Sequence, residues 1–471
     1  MRKNETVILR IEGINNLGCG VAHLSLPDGK LGPVVFVHGA VTGDEVEARI
    51  MKVNSSYLVA KAERILTPSP IRTENFCTAS GCGGCIYRCV GYAHELEMKW
   101  EYVRNAFCKA GLPEVQVEPV QSTGKTTRYR NKAQYPVANG KDGIQAGFFA
   151  AASHRLVPVE DCPLQPELFA GIVRQIRRFC DRNNIRAYEE TTGQGLLRHI
   201  YLRRGAATGE VGVCLVLNGE RFPGEQAFAR ELVATFPEVT GITVNVNRKN
   251  TNVILGERFR TVWGNPWIED VLCGKRFRIS PGAFYQVNHD ACELLYRIAA
   301  EKADLKAGGI LLDLYCGIGT VGLCTAANAG KIIGLEIVEE AVQRAAENAE
   351  RNGVGNAFFY CGDASDLRSL LGKAEKEHGS LRGATVVMDP PRKGSTPEAI
   401  DFLAESGFER IVYISCNPDT LARDCARFRE HGFRIGAATP VDLFPHTGHV
   451  ETVVLILGSE KASPESSGEN A

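Results

Sequence analysis

Three observations predict a multidomain chain ending in an α/β domain with a doubly wound, Rossmann-like sheet. From about residue 290 onward, short β-branched strands alternate with helical stretches, the pattern of a parallel sheet with crossover helices. Successive strands of this stretch carry Asp313, Glu336, Asp363 and Asp389 at or near their ends. Ligands of open parallel sheets sit off the carboxyl ends of the strands, so a series of acid-tipped strands marks a polar cofactor site. A further strand, Ile411-Val-Tyr-Ile, runs into Ser415-Cys-Asn-Pro418 and leaves Cys416 at the same kind of edge. A thiol there is either a small buried hydrophobe or a nucleophile, and only the surrounding chemistry separates the two.

A length of 471 residues exceeds what one core supports, so two to four domains are expected. With 44% hydrophobic and 23% charged residues the composition is that of a soluble globular protein. No run approaches the ~18 apolar residues of a membrane helix, and the first residues alternate like a strand instead of forming a signal peptide. A cytoplasmic protein without membrane contact is expected. Most of the 16 cysteines stand singly in apolar patterns, as at Cys214, Cys324 and Cys361, which suits reduced thiols. A net charge of −1 argues against wholesale polyanion binding and leaves room for a local basic face.

In chain order, residues 1–66 read as short strands between glycine turns, the spacing of a small OB-like barrel. Such a barrel binds nucleic acid or serves a structural role. Thr67-Pro-Ser-Pro70 then leads into a cysteine-rich segment, 67–95. Cys77, Cys82 and Cys85 lie among glycines that let the backbone fold round an ion, and thiolates suit zinc and iron–sulfur clusters alike. The fourth ligand is Cys89 or the distant Cys162. Residues 96–272 form a mixed α+β region. There Arg128, Arg130 and Lys132 interleave with Tyr129 and Tyr135, and Arg198 to Arg204 is a second basic strand. Positive charge and rings are what single-stranded RNA needs; a solvated strand face with ordinary aromatic packing has the same pattern. Val211–Leu217 and the segment from Gly241 read as hairpin-like. Residues 273–458 are the α/β domain, and the apolar-poor tail 459–471 is expected to be disordered.

Gly317, Gly319 and Gly322 spell a dinucleotide fingerprint, with Glu336 19 residues past the first glycine. A nicotinamide or flavin enzyme is therefore a real alternative. Asp313 before the glycine turn, Asp363, and the locked turn Asp389-Pro-Pro-Arg392 favour S-adenosylmethionine instead. Asp-Pro-Pro followed by an aromatic residue suggests methylation of a base amino group; Arg392 stands there and is expected to meet a phosphate or a carboxylate. Glu451 opens the last strand.

Phe284-Tyr-Gln-Val-Asn288, Asp313 to Thr320, Asp389 to Gly394, Ser415 to Pro418 and His449-Val-Glu451 together resemble the RNA uracil-C5 methyltransferases, in particular the RumA/RlmD type that modifies 23S ribosomal RNA. The resemblance covers nearly the whole chain. It implies a TRAM barrel at the N-terminus and a [4Fe-4S] cluster on Cys77, Cys82, Cys85 and Cys162. The first cysteine gap holds four residues here and five in the family, so Cys89 stays in reserve. It also implies that Gln286, Tyr315, Thr320, Glu336, Asp363 and Asp389 contact S-adenosylmethionine. Cys416 would attack C6 of a uracil drawn out of its stack, making C5 nucleophilic, and Glu451 would later remove the C5 proton. The implied partner is ribosomal RNA, met by a monomer without an obligate protein partner. The rivals are a tRNA uracil methyltransferase, whose family generally lacks the barrel and cysteine segment, a nicotinamide oxidoreductase, and a non-enzymatic iron–sulfur RNA sensor.

Overall fold

Alternating apolar residues build the first layer. Val35 and Val37, Val46, Ala48 and Ile50, and Leu58 and Ala60 are buried together, because every second side chain of a strand faces the same side. In the computed structural model, which describes residues 2–25, 31–326, 328–363 and 366–458, the first 67 residues pair as one six-stranded sheet. Its strands are Thr6–Arg10, Gly13–Ile14, Cys19–Ser25, Leu31–His38, Glu45–Val53 and Tyr57–Thr67. One pairing, Leu31–His38 with Tyr57–Thr67, is parallel. The tail 459–471 lies outside the described residues.

The middle of the chain forms a seven-stranded sheet. In space its strands run Arg258–Gly264, Val239–Val246, Val211–Leu217, Leu197–Arg204, Lys132–Gly140, Gly143–Phe149 and Leu156–Pro158. Val211–Leu217 and Val239–Val246, hairpin-like in sequence, are parallel neighbours. The helix Glu225–Thr235 between them is the crossover such a pair requires. It packs with helix Glu167–Arg182, whose Phe169, Ile172, Val173, Ile176 and Phe179 form a buried stripe at helical spacing.

The last sheet has seven strands. Across it lie Ala357–Cys361, Lys331–Glu336, Ile310–Leu314, Thr385–Met388, Arg410–Ser415, Glu451–Leu457 and Arg434–Val441. In chain order this is third, second, first, fourth, fifth, seventh and sixth. The first five pair parallel, and the seventh runs antiparallel to both neighbours. Both faces are covered. Leu312, Val386, Met388, Ile411 and Tyr413 face one core, while Leu311, Val387, Val412 and Ile414 face the other. Burial on two faces explains why these strands read as continuous apolar runs without alternation.

Helix Tyr92–Lys109 belongs by sequence position to the middle region. It nevertheless packs Val103, Ala106 and Phe107 into the core that holds Leu421 and Phe428 of helix Pro418–Glu430. Helical periodicity shows which face is apolar and says nothing of the surface it will cover. Among the described residues, no helix is long and apolar enough to cross a membrane.

Candidate active site

Strand direction decides which side chains meet. Leu314, Leu335 and Met388 are in register at the carboxyl ends of three parallel strands, and Ser415 pairs with Thr452. Because Glu451–Leu457 runs antiparallel, its first residue lies at the edge where Arg410–Ser415 ends. Glu451 and Cys416 therefore share one edge with Tyr315 and Asp389.

The glycine turn after Ile310–Leu314 is tight. Gly317 and Gly319 have φ of 54° and 82°, and Tyr315 takes 65°, a conformation that costs a side-chain-bearing residue energy and clusters at functional sites. Asp313 Oδ2 accepts from Gly322 N at 2.7 Å, yet its buried Oδ1 has no partner. Burial, against that one hydrogen bond, raises the Asp313 pKa to about 7, and Asp389 and Glu336 add to the rise. The carboxylate of Glu336 ties the turn down, accepting from Gly317 N at 3.0 Å and Val338 N at 2.9 Å. Ile337 and Val338 beside it are more than half exposed, as is Phe284. Gln286 is buried, and its carbonyl accepts from Asn131. Thr320 Oγ1 lies 3.1 Å from Tyr296 Oη, and Tyr315 Oη the same distance from Ser395 Oγ. Asp363 follows the third strand and is exposed.

Around Cys416 the chemistry is acidic. Burial of the thiol, then the neighbouring Glu451 and Asp389, push its pKa up to about 11, and the Arg392 guanidinium pulls the other way. Glu451 is buried and rises well above the usual carboxylate range, first through desolvation and then through Asp389. Asp389 rises through desolvation as well. The loop before Glu451 is anchored from below. Buried Lys99 donates to Glu95 Oε1 and Asp442 Oδ1, both at 2.7 Å, and to the Phe444 carbonyl at 3.1 Å.

A cavity of about 780 Å³ opens between this edge and the cysteine-rich segment. Arg392 and His449 line one end, and Cys77, Cys82, Cys85 and Cys162 line it elsewhere; Cys89 does not. Burial first, then the other thiols of the set, raise Cys162 to about 11 and Cys85 to about 12. Among the described residues, no three Cys, His, Asp or Glu side chains converge closely enough to hold a metal ion. Arg130 and Lys132 face the cavity. The rings expected beside them do not. Tyr129 and Tyr135 are buried, donating to the Pro445 carbonyl and Gln165 Oε1, so they are core residues and not stacking platforms. Arg128 is paired with Asp161. Arg198 and Arg203 donate to backbone carbonyls.

A family model described as tRNA (Uracil-5-)-methyltransferase matches residues 267–459. An uncharacterized RNA methyltransferase of Clostridium tetani is 36% identical over 97% of this chain and 97% of its own. The chain belongs to the RNA uracil-5-methyltransferase family. A second such relative, from Bacillus cereus, is 36% identical over 98% of each chain. The crystal structure of Pyrococcus abyssi tRNA (uracil-54, C5)-methyltransferase in complex with S-adenosyl-L-homocysteine matches with a TM-score of 0.75 and 28% identity. It covers 96% of this chain and 99% of that one. That breadth removes one distinction expected from the sequence: a tRNA-directed relative matches this architecture almost end to end.

For this methyltransferase, local motifs were enough to find the acid-tipped strands. The contacts of Arg392 with His449, of Tyr296 with Thr320, and of Lys99 with Asp442 carry no sequence signal, since the partners lie 57, 24 and 343 residues apart. The raised carboxyls set a pH dependence. Asp313 holds its proton to about pH 7 when folded, against ~3.9 when unfolded. Stability from such a group is fully present below the unfolded value and is lost as pH rises through the folded one. The unfolding midpoint of the methyltransferase is therefore expected to fall between about pH 4 and 7, and Asp313→Asn to flatten that fall. Thermal denaturation across the series checks it; a midpoint that climbs through this window contradicts the assignment.

Proposed function

We propose that this methyltransferase forms 5-methyluridine in 23S ribosomal RNA through a covalent bond between Cys416 and uracil C6. The observation that carries the reading is the meeting of Cys416, Asp389 and Glu451 at the carboxyl edge of the last sheet. Uracil C5 is a poor nucleophile. Addition of the Cys416 thiolate to C6 moves the C5–C6 π electrons toward C5 and the C4 carbonyl. Once methylated, C5 carries both the new group and its original hydrogen. The Glu451 carboxylate removes that proton, the electron pair re-forms C5=C6, and the thiolate leaves. Asp389 hydrogen-bonds the ring.

S-adenosylmethionine, when bound, supplies an electrophilic methyl group on a sulfonium. The residues at the edge fit it. Asp313 has an unpartnered buried oxygen for a cationic or hydrogen-bonding group. Exposed Ile337, Val338 and Phe284 offer apolar cover for an adenine ring. Gln286, Tyr315, Thr320, Glu336, Asp363 and Asp389 would hold it, and the Pyrococcus abyssi relative was solved in complex with S-adenosyl-L-homocysteine.

A [4Fe-4S] cluster on Cys77, Cys82, Cys85 and Cys162 is part of the same reading. Four thiols on one cavity wall are the donor chemistry such a cluster takes, although they are not drawn into a ligand shell. No step of the reaction runs through it. The six-stranded sheet of residues 1–66 serves as a TRAM-type RNA-binding barrel, followed by the cysteine segment 67–95. The region 96–272 contributes Arg130 and Lys132 to the RNA path, and 273–458 carries the catalysis in the cytoplasm.

A second reading, tRNA as substrate, rests on the near end-to-end match to a tRNA-directed enzyme. Mapping 5-methyluridine in ribosomal and transfer RNA from cells with and without this protein separates the two. The leading reading expects one or two ribosomal positions to lose the mark, and loss confined to tRNA rejects it.

A further inference from the structure

The turn Asp389-Pro-Pro-Arg392 and the loop after Cys416 are stitched together. Asn417 Nδ2 and Thr420 Oγ1 donate to the Arg392 carbonyl at 3.0 and 3.3 Å. This holds the Arg392 backbone beside the thiol. Its guanidinium is held by His449. Nη2 lies 2.9 Å from His449 Nδ1 and 3.1 Å from His449 Nε2, and its positive charge acts on the Cys416 sulfur, the residue before Asn417.

The three charged groups facing the sulfur are unequal in sign. Glu451 and Asp389 disfavour a thiolate there, and Arg392 favours it. A histidine can accept from a guanidinium only while neutral, because a protonated ring has donors alone. The walls of the cavity, then the charges of Arg392, Lys99 and Arg130, hold the His449 pKa down near 4. His449 is thus an acceptor across the working pH range. Arginine suits the place because its charge is permanent and its fork of donors can bind His449 and still present charge toward the sulfur. Lysine would offer a point charge without that fixed geometry. The sequence alone pairs Arg392 with a phosphate or carboxylate; here it faces sulfur and imidazole.

We infer that Arg392 is a further catalytic residue, opposing Glu451 and Asp389 and stabilising the Cys416 thiolate as it forms, and that His449 is the positioning residue that aims it. The inference rests on the reading of Cys416 as the nucleophile. Ionisation breaks the S–H bond and sends the proton to solvent; no electron changes hands. The thiolate then has a counter-charge that stays in place when sulfur is expelled at the end of the cycle.

Alkylation of the full-length protein by iodoacetamide, without RNA or methyl donor, tests this directly. The thiolate forms an S–C bond and releases iodide, and the Cys416 peptide is followed by mass spectrometry across a pH series. Arg392→Gln is expected to move the alkylation midpoint up by about one pH unit, close to a tenfold slower reaction at neutral pH. Arg392→Lys recovers part of that shift. His449→Gln, which keeps an acceptor, stays near the wild-type midpoint, whereas His449→Phe follows Arg392→Gln. A profile for Arg392→Gln that coincides with wild type overturns the inference. So does an unchanged profile accompanied by a raised KM for RNA, the signature of a phosphate contact. If the nucleophile itself is misassigned, Cys416→Ala keeps its methyl transfer activity, a result read independently of alkylation.

Discussion

Cys416→Ala is expected to lose methyl transfer by roughly 10^4-fold or more while still retaining S-adenosylmethionine. The loss is large because the methyl donor cannot make up for an unactivated C5. Without the sulfur at C6 there is no electron-rich carbon to receive the methyl group, and removing a covalent nucleophile costs about this much or more in other enzymes. Binding of the methyl donor should persist, since Asp313, Glu336 and the Gly317 turn belong to other strands, where the two carboxylates are held by Gly322, Gly317 and Val338. Equilibrium binding of radiolabelled S-adenosylmethionine beside a single-turnover assay gives both quantities. Activity near wild type in this variant removes the covalent mechanism.

Glu451→Gln is expected to behave differently, trapping the enzyme partway. The Cys416 attack and the methylation of C5 remain available, but an amide does not take the C5 proton. The protein should therefore accumulate as an RNA adduct stable on a denaturing gel, with turnover lower by ~10^2- to 10^4-fold. Adding Cys416→Ala to this variant should abolish the adduct. Glu451 also sets the sign of the pH profile. Burial and the neighbouring Asp389 hold its pKa above the carboxylate range, and a base must be ionised to act. The adduct-resolving step should accelerate as pH rises through that raised value and lose this rise in Glu451→Gln. Rapid turnover without an adduct would leave Glu451 without the assigned role.

These two side chains show how far local pattern reaches. Cys416 was legible as a strand-end thiol because a β-branched run breaks at Asn417-Pro418, and backbone preference is a local property. Glu451 was legible as the first residue of a strand, but nothing in its neighbours says that this strand runs antiparallel. That direction brings it to the edge with Cys416. The same division holds elsewhere. Spacing interleaved Tyr129 and Tyr135 with basic residues, and packing turned both rings into the core. Spacing gathered Cys77, Cys82 and Cys85, whereas the fold put Cys162, and not Cys89, on their cavity.

By itself, the sequence determined the order of strands and helices, the glycine turn after Asp313, the carboxylates at successive strand ends and the thiol after Ser415. Each follows from the propensities and periods of a few adjacent residues. Tertiary structure alone decided which of those ends converge. It set Arg392 against His449, anchored the loop before Glu451 on Lys99, and crowded carboxyl groups until they hold their protons. These depend on pairing direction and burial between segments tens to hundreds of residues apart. Desolvation and charge proximity act through space, and no local pattern of residues encodes them.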